Sequence, residues 1–242
     1  MADRERDENH LTGVVGGALR RWLERARNAV MRPFRQYQMM PDASGIYQTQ
    51  AAWDNEVDSI MTEIGKISMR AWSDATDVPP ISRHAFVMSQ LAYTQNLLVR
   101  IPDEVYNLVF AEIADGVNAG QTVEQIAERV DRVLSYTGSE RWPNRARTIA
   151  QTETTRAYGA GTLAAGMEQS RLTGRLLRKR WDSERDEKVR IPHREVDGET
   201  VDLGMPFYVD GIPMMFPGDP LAPPDLVINC RCDLVILNER GR

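Results

Sequence analysis

The sequence predicts an α+β fold: a mostly helical N-terminal part followed by a small hairpin-rich β C-terminal part. Three observations carry this expectation. Apolar residues recur at three- and four-residue steps as far as about residue 175, the period of a helix with one buried face. After Gly174 that period stops, and Asp-Gly pairs at 197–198 and 210–211 stand between short apolar runs, the strongest short signal for a hairpin. The last forty residues hold "DLVINCRCDLVIL", an alternating run suited to a final strand.

Each helix has its own signature. Leu19, Trp22, Leu23, Ala26, Val30, Phe34 and Tyr37 form an apolar stripe flanked by arginines, with Pro33 expected to kink or end it. Such a basic amphipathic helix suits either core packing or docking to a partner. Trp53, Val57, Ile60, Ile64, Ile67 and Ala71 make a cleaner stripe that stops before Pro79-Pro80. Further helices are expected over about 82–99 and from Pro102, a favoured first-turn residue, to about Val117. In "GQTVEQIAERVDRVL", Thr122 with Gln125 three residues on is a capping box.

The longest helix runs from near Pro143 to before Gly174. Its face is built of Ala146, Ile149, Ala150, Ala157, Ala160 and Ala164, with Gly159, Gly161 and Gly166 inside it. An interior glycine costs about 1 kcal/mol relative to alanine, which close approach of another backbone would offset. Glu153 lies on this small-residue face and needs a cationic partner there, with Arg145, Arg147 and Arg156 at hand. "FPGDPLAPPD" (216–225) is too rich in proline for regular structure and reads as an ordered loop.

Composition and charge narrow the function classes. No apolar run approaches the ~20 residues that span a bilayer, and the polar start "MADRERDENH" is not expected to be a signal peptide. No phosphate-binding glycine loop, nucleophile elbow or zinc-protease helix motif is present. Residues 141–194 carry 13 basic and 6 acidic side chains, whereas 41–140 carry 6 and 15. The first segment therefore suits a polyanion and the second a basic protein partner; ordinary solvated helix faces would look the same.

The chain has two cysteines, Cys230 and Cys232. Strand alternation would place them with Ile228, Leu234 and Ile236 on one face, as small core residues or as two sulfurs aimed at one metal. His193 is the histidine of the same C-terminal region, and Asp182 or Asp186 would complete four ligands. The spacing is C-x-C rather than C-x-x-C, and no proline precedes it, so the zinc-deaminase pattern fails. A thiol on an apolar face is inert, which argues against a cysteine nucleophile. No cofactor is expected, and zinc is the metal that the set would admit.

A longer series of residues resembles a known family. "RARTIAQTETTRAYGAG" (145–161), "KRWDSERDEKVRIPHREVDGETVDLGMPF" (179–207), "PGDP" (217–220) and "NCRC" (229–232) stand in the order found in the Mu F-like family of phage minor head proteins. The resemblance covers roughly residues 103–237. It implies a noncatalytic head component of a tailed bacteriophage, inside the capsid near the portal and in the host cytoplasm during assembly. Its implied role is head assembly, with contact to packaged double-stranded DNA and a part in packaging or ejection. The implied partners are the portal protein and a major capsid or scaffolding protein, with no membrane anchor.

The family's shared residues fall on Glu153, Trp181, Asp182, Asp186, Arg190, His193, Asp219, Cys230 and Cys232. They are expected to form a folding framework: Asp186 paired with Arg190, His193 satisfied by a carboxylate, Cys232 in the core. Arg171, Arg175, Arg178, Lys179 and Arg180 are the candidate DNA contacts. Three regions are expected: 1–100 for assembly and portal docking, 101–175 as the helical part of the Mu F-like domain, and 176–242 as its β-rich part. The rival from another class is a virion-borne metal-dependent enzyme or effector using His193, Cys230 and Cys232. A plain DNA-binding module is a third reading.

Overall fold

A computed structural model describes residues 2–138 and 140–237 of the chain. Helix α1 (Ala2–Tyr37) leads through a 3-10 turn (Ala43–Thr49) to α2 (Gln50–Ala75), α3 (Ala85–Leu98), α4 (Ile101–Asn118), α5 (Val123–Leu134) and α6 (Arg141–Thr173). Then come β1 (Arg178–Asp182), α7 (Ile191–Glu195), β2 (Thr200–Asp202), β3 (Phe207–Val209), β4 (Ile212–Met214), α8 (Pro224–Val227) and β5 (Asp233–Leu237). The class is α+β, as the change of period near Gly174 indicates. Two compact units gather these elements out of chain order. One takes residues up to Leu11, Met61–Thr94 and the chain from Thr148; the other takes Thr12–Ile60 and Gln95–Arg147.

The second unit is wholly helical. Leu19, Trp22, Leu23, Ala26 and Val30 are buried in it, so the α1 stripe is core as far as Val30, whereas Phe34 is half-buried and Tyr37 is exposed. Trp22 packs on Trp53 with ring centroids 5.2 Å apart, and each indole finds an acceptor. Trp22 donates to Thr49 Oγ1 at 2.9 Å, and Trp53 to the Leu98 carbonyl at 2.7 Å. The Thr122–Gln125 capping box forms in full, a device worth about 1 kcal/mol. Pro33 does not end α1, which runs one turn further to Tyr37, where Gln38 turns to a φ of 56°.

The first unit is organised on α6. Ala150, Ala157, Ala160, Ala164 and Ala165 are buried, which lets other elements come close to the helix axis. The approach is tightest at Gly161, where an added Cβ would fall on the Ser68 carbonyl of α2. Strands β2, β1 and β5 form an antiparallel sheet with β1 in the centre, in the register Arg180↔Thr200 and Trp181↔Leu234. Strands β3 and β4 pair as a separate hairpin. Its Asp210-Gly211 turn has φ values of 52° and 75°, the positive pair that a two-residue hairpin loop needs.

Two sequence expectations are corrected. Asp197-Gly198 is not a hairpin tip: it closes the turn after α7, and Asp197 accepts the Ser183 backbone N–H at 2.8 Å. The run from 225 to 237 is not one strand. Pro224 starts the short helix α8 at the position where a missing N–H costs nothing, and Asn229 then reverses the chain at a φ of 57°. Regular pairing begins at Asp233, so Cys230 and Cys232 lie on an irregular loop before β5.

Gly161 should therefore resist substitution. Gly161→Ala is expected to cost about 1–3 kcal/mol in chemical denaturation, because a backbone must shift. Gly13→Ala, with nothing within 4 Å of the new methyl, should instead stabilise α1 by about 0.5–1 kcal/mol.

Candidate functional site

Loop 229–233 is held by α6 and by the first turns of α1. Thr152 Oγ1 accepts the Asn229 N–H at 3.1 Å, and Thr155 Oγ1 donates to the Cys230 carbonyl. The Arg4 guanidinium donates to the Arg231 carbonyl at 2.9 Å, to the Cys232 carbonyl at 3.3 Å, to Thr155 Oγ1 at 2.6 Å and to the Asp233 carboxylate. These side chains satisfy carbonyls and an N–H that a strand ladder would otherwise have served. With its backbone so fixed, the loop turns both sulfurs inward.

Three ligand-type atoms meet there. His193 Nδ1 lies 3.4 Å from Cys232 Sγ and 3.6 Å from Cys230 Sγ. The Nδ1 and both sulfurs all lie within 4.8 Å of one another, and all three residues are buried. Helix α7 brings His193, with Pro192 early in its first turn. The imidazole stands edge-on to Trp181 at 5.4 Å, and Trp181 in turn to Phe207 at 5.4 Å. His193 Nε2 is buried without a hydrogen-bond partner among the described residues. The two thiols differ. A hydrogen bond from Cys232, opposed by burial and aided by His193, holds Cys230 well below the ordinary thiol range. The Cys230 sulfur and burial push Cys232 up.

The polar residues around this cluster have structural partners, not always those expected. Glu153 takes Arg156 at 2.7 Å and Thr94 at 2.6 Å, with both charges buried; Arg156 also donates to the Gly218 carbonyl at 3.2 Å. Asp219 accepts the N–H groups of Met215 at 2.7 Å and Leu221 at 3.0 Å, which shapes the Pro-Gly-Asp-Pro turn. Asp186 pairs with Arg231 through two contacts of 2.7 and 2.8 Å, which hold its carboxyl below the usual range. The expected Asp186–Arg190 pair is thus replaced: Arg190 donates to the Ile228 carbonyl instead. Asp182 takes Arg185 at 2.6 Å. Neither Asp182 nor Asp186 joins the ligand cluster, and His193 faces sulfur rather than a carboxylate.

The candidate DNA contacts separate. Arg171, Arg175 and Arg178 are exposed at the end of α6 and the start of β1. Arg180 is partly buried, with a buried Nε that has no partner among the described residues. Lys179 is fully buried; its ammonium donates to the Met215 carbonyl at 2.7 Å and lies over the Phe207 ring, so it is withdrawn from phosphate. A cavity of about 470 Å³ in the same unit is lined by Asp3, Asp74, Asp182 and Asp233 with Arg4, a charge balance unsuited to a polyanion. Arg4, Thr152 and Thr155 are the loop-holding residues that sequence reading missed, and Arg4 is the most remote. It stands more than 220 positions from the carbonyls it serves, and no local pattern marks it.

A family model described as Phage Mu protein F like protein matches residues 107–235. The minor head protein GP7 of Bacillus phage SPP1 is 27% identical over 137 residues, 54% of this chain and 41% of that protein. The NAD(+)–arginine ADP-ribosyltransferase EFV of Enterococcus faecalis is 28% identical over 173 residues, 60% of this chain and 34% of that protein. The chain thus spans well under half the length of each of these relatives. No solved structure matches.

Lys179 supplies a test of the buried site. Burial lowers its pKa to about 8, against 10.5 for a solvated lysine. Between those values the unfolded chain binds more protons than the folded one, so stability should rise with pH there. From about pH 8 to pH 10 the wild type is expected to gain on the order of 1 kcal/mol over Lys179→Met in urea unfolding. Parallel pH profiles would remove the buried ammonium from the account.

Proposed function

The chain belongs to the Phage Mu protein F like family, and from that premise we propose that it is a noncatalytic minor head protein of a tailed bacteriophage. It acts in head morphogenesis, resides in the capsid interior beside the portal, and contacts packaged DNA through an exposed basic edge. The observation that carries this reading is the family match over 107–235, which takes in α5, α6, the sheet and the Cys loop. The likeness to a minor head protein supports it further.

The geometry supports the noncatalytic part. Glu153, Asp186 and Asp219 are spent on ion pairs and backbone N–H groups, which build shape. His193, Cys230 and Cys232 are 2–3% exposed, which leaves a substrate little access to the reacting atoms of a virion-borne enzyme. The ADP-ribosyltransferase relative does not change this reading, since the chain covers a third of it.

Burial of the α1 stripe from Leu19 to Val30 directs the assembly contact elsewhere. Arg20, Arg25, Arg32 and Arg35 are exposed along α1 and form a basic ridge that fits an acidic face of a portal or capsid partner. Removing the N-terminal forty residues would also remove Arg4, so point variants give the cleaner test. Arg20→Glu with Arg25→Glu and Arg32→Glu should lower incorporation into heads severalfold, measured by immunoblot of gradient-purified particles, with the melting temperature unchanged. Undiminished incorporation would overturn the ridge as the contact, and absence of the wild-type chain from heads would overturn the whole reading.

DNA contact makes a separate prediction. Affinity for duplex DNA should fall steeply with added salt, by a logarithmic slope of about 0.9 per phosphate neutralised. Changing Arg171, Arg175 and Arg178 to glutamine should reduce that slope by up to about 3 in a filter-binding titration.

A further inference from the structure

We propose that His193 Nδ1, Cys230 Sγ and Cys232 Sγ bind a thiophilic divalent ion of the zinc class, and that this ion fastens α7 to the loop before β5 as a structural staple. The inference does not depend on the virion reading. Around a tetrahedral zinc ion, ligand bonds of about 2.0–2.1 Å to imidazole nitrogen and 2.3 Å to thiolate place nitrogen and sulfur about 3.6 Å apart. The observed separations are 3.4 and 3.6 Å.

Their near equality is informative. An imidazole nitrogen has one in-plane direction, along which it carries either a proton or a lone pair. Directed at one sulfur, it serves the other poorly. A cation on that axis touches both sulfurs and the nitrogen together. Electrostatics agrees with the geometry. Two thiolates and a neutral imidazole around a dication form a centre with no net charge, which an apolar surrounding accepts far better than a lone thiolate. That surrounding is apolar: Trp181, Val196, Phe207, Leu226, Val227 and Leu234 belong to the same buried cluster as the two cysteines.

The ligands also stand on prepared backbone. Arg4, Thr152 and Thr155 hold the loop, and α7 holds the ring, so little ordering remains for binding to impose. The nearby carboxylates are engaged elsewhere, Asp182 with Arg185 and Asp186 with Arg231. The fourth position thus falls to a small exogenous ligand such as water. Three protein ligands with a water is the coordination of catalytic zinc, so the assignment to folding rests on burial alone: His193, Cys230 and Cys232 are all enclosed, which closes the fourth position to a substrate.

The test uses the full chain, purified without chelator or immobilised metal. Mass spectrometry of total metal should find one equivalent of zinc. The cobalt(II)-exchanged chain should show a thiolate-to-cobalt charge-transfer band in the near ultraviolet, together with the intense visible bands of tetrahedral cobalt. Chelation should lower the melting temperature of the wild type. Cys230→Ser with Cys232→Ser should bind zinc more than about a hundredfold more weakly, a loss beyond what an outer-partner change brings. Should that variant not fold, the wild-type metal content and cobalt spectrum decide alone. A folded wild-type chain that retains neither metal after loading, cobalt bound without the thiolate band, or a folded serine variant with unchanged affinity would each overturn the proposal.

Discussion

The unit that carries the family motifs depends on the absence of side-chain bulk along α6. Alanine and glycine on its buried face bring neighbouring backbone to the helix surface, most closely the Ser68 carbonyl at Gly161 and the Pro217-Gly218 segment beside Gly159 and Arg156. At that distance the short side chains of Thr152 and Thr155 reach the Cys loop directly, and Arg156 reaches the Gly218 carbonyl. Larger residues on the same face would hold the loops away, and their carbonyls would need other donors. Even the cost of burying Glu153 is met locally, by Arg156 one turn on and by Thr94.

What the sequence made legible was local. Period, capping chemistry and glycine placement act within a turn or two, so the helices, the Thr122 cap and the Asp210-Gly211 hairpin could be read directly. Glu153 could be read because its partner stands three residues away. The errors came where distant groups replaced local ones. Alternation in "INCRCDLVI" suggested a strand, but Asn229 turns the chain, and Arg4 and Thr155 take the carbonyls that a ladder would have used. Lys179 sits among arginines in sequence, yet its strand position turns it inward and theirs outward.

The site shows the same division. That the histidine and the two cysteines belong together could be suspected from residue type, whereas their separations could not. Sequence proximity gives the wrong charge partner for Asp186, which has Arg190 close in sequence and Arg231 close in space. Chain proximity is a weak guide once a loop doubles back, since an arginine fork seeks whichever carboxylate presents both oxygens. The N-terminal stripe is the converse case: a pattern that fits a partner's groove equally fits a core, and its Trp22, buried against Trp53, decides for the core.

The reach of Arg4 has a kinetic side. Its contacts span 227 to 229 positions, among the longest separations the chain allows. Contacts of such range form slowly, because the intervening chain must first be gathered, and on the ribosome they cannot form until the Cys loop has emerged. The helical unit, complete by Arg147, can condense during synthesis, while the motif-bearing one must wait for its final segment. Until the Cys loop emerges, the first turn of α1 lacks the carbonyls that Arg4 clasps in the folded chain.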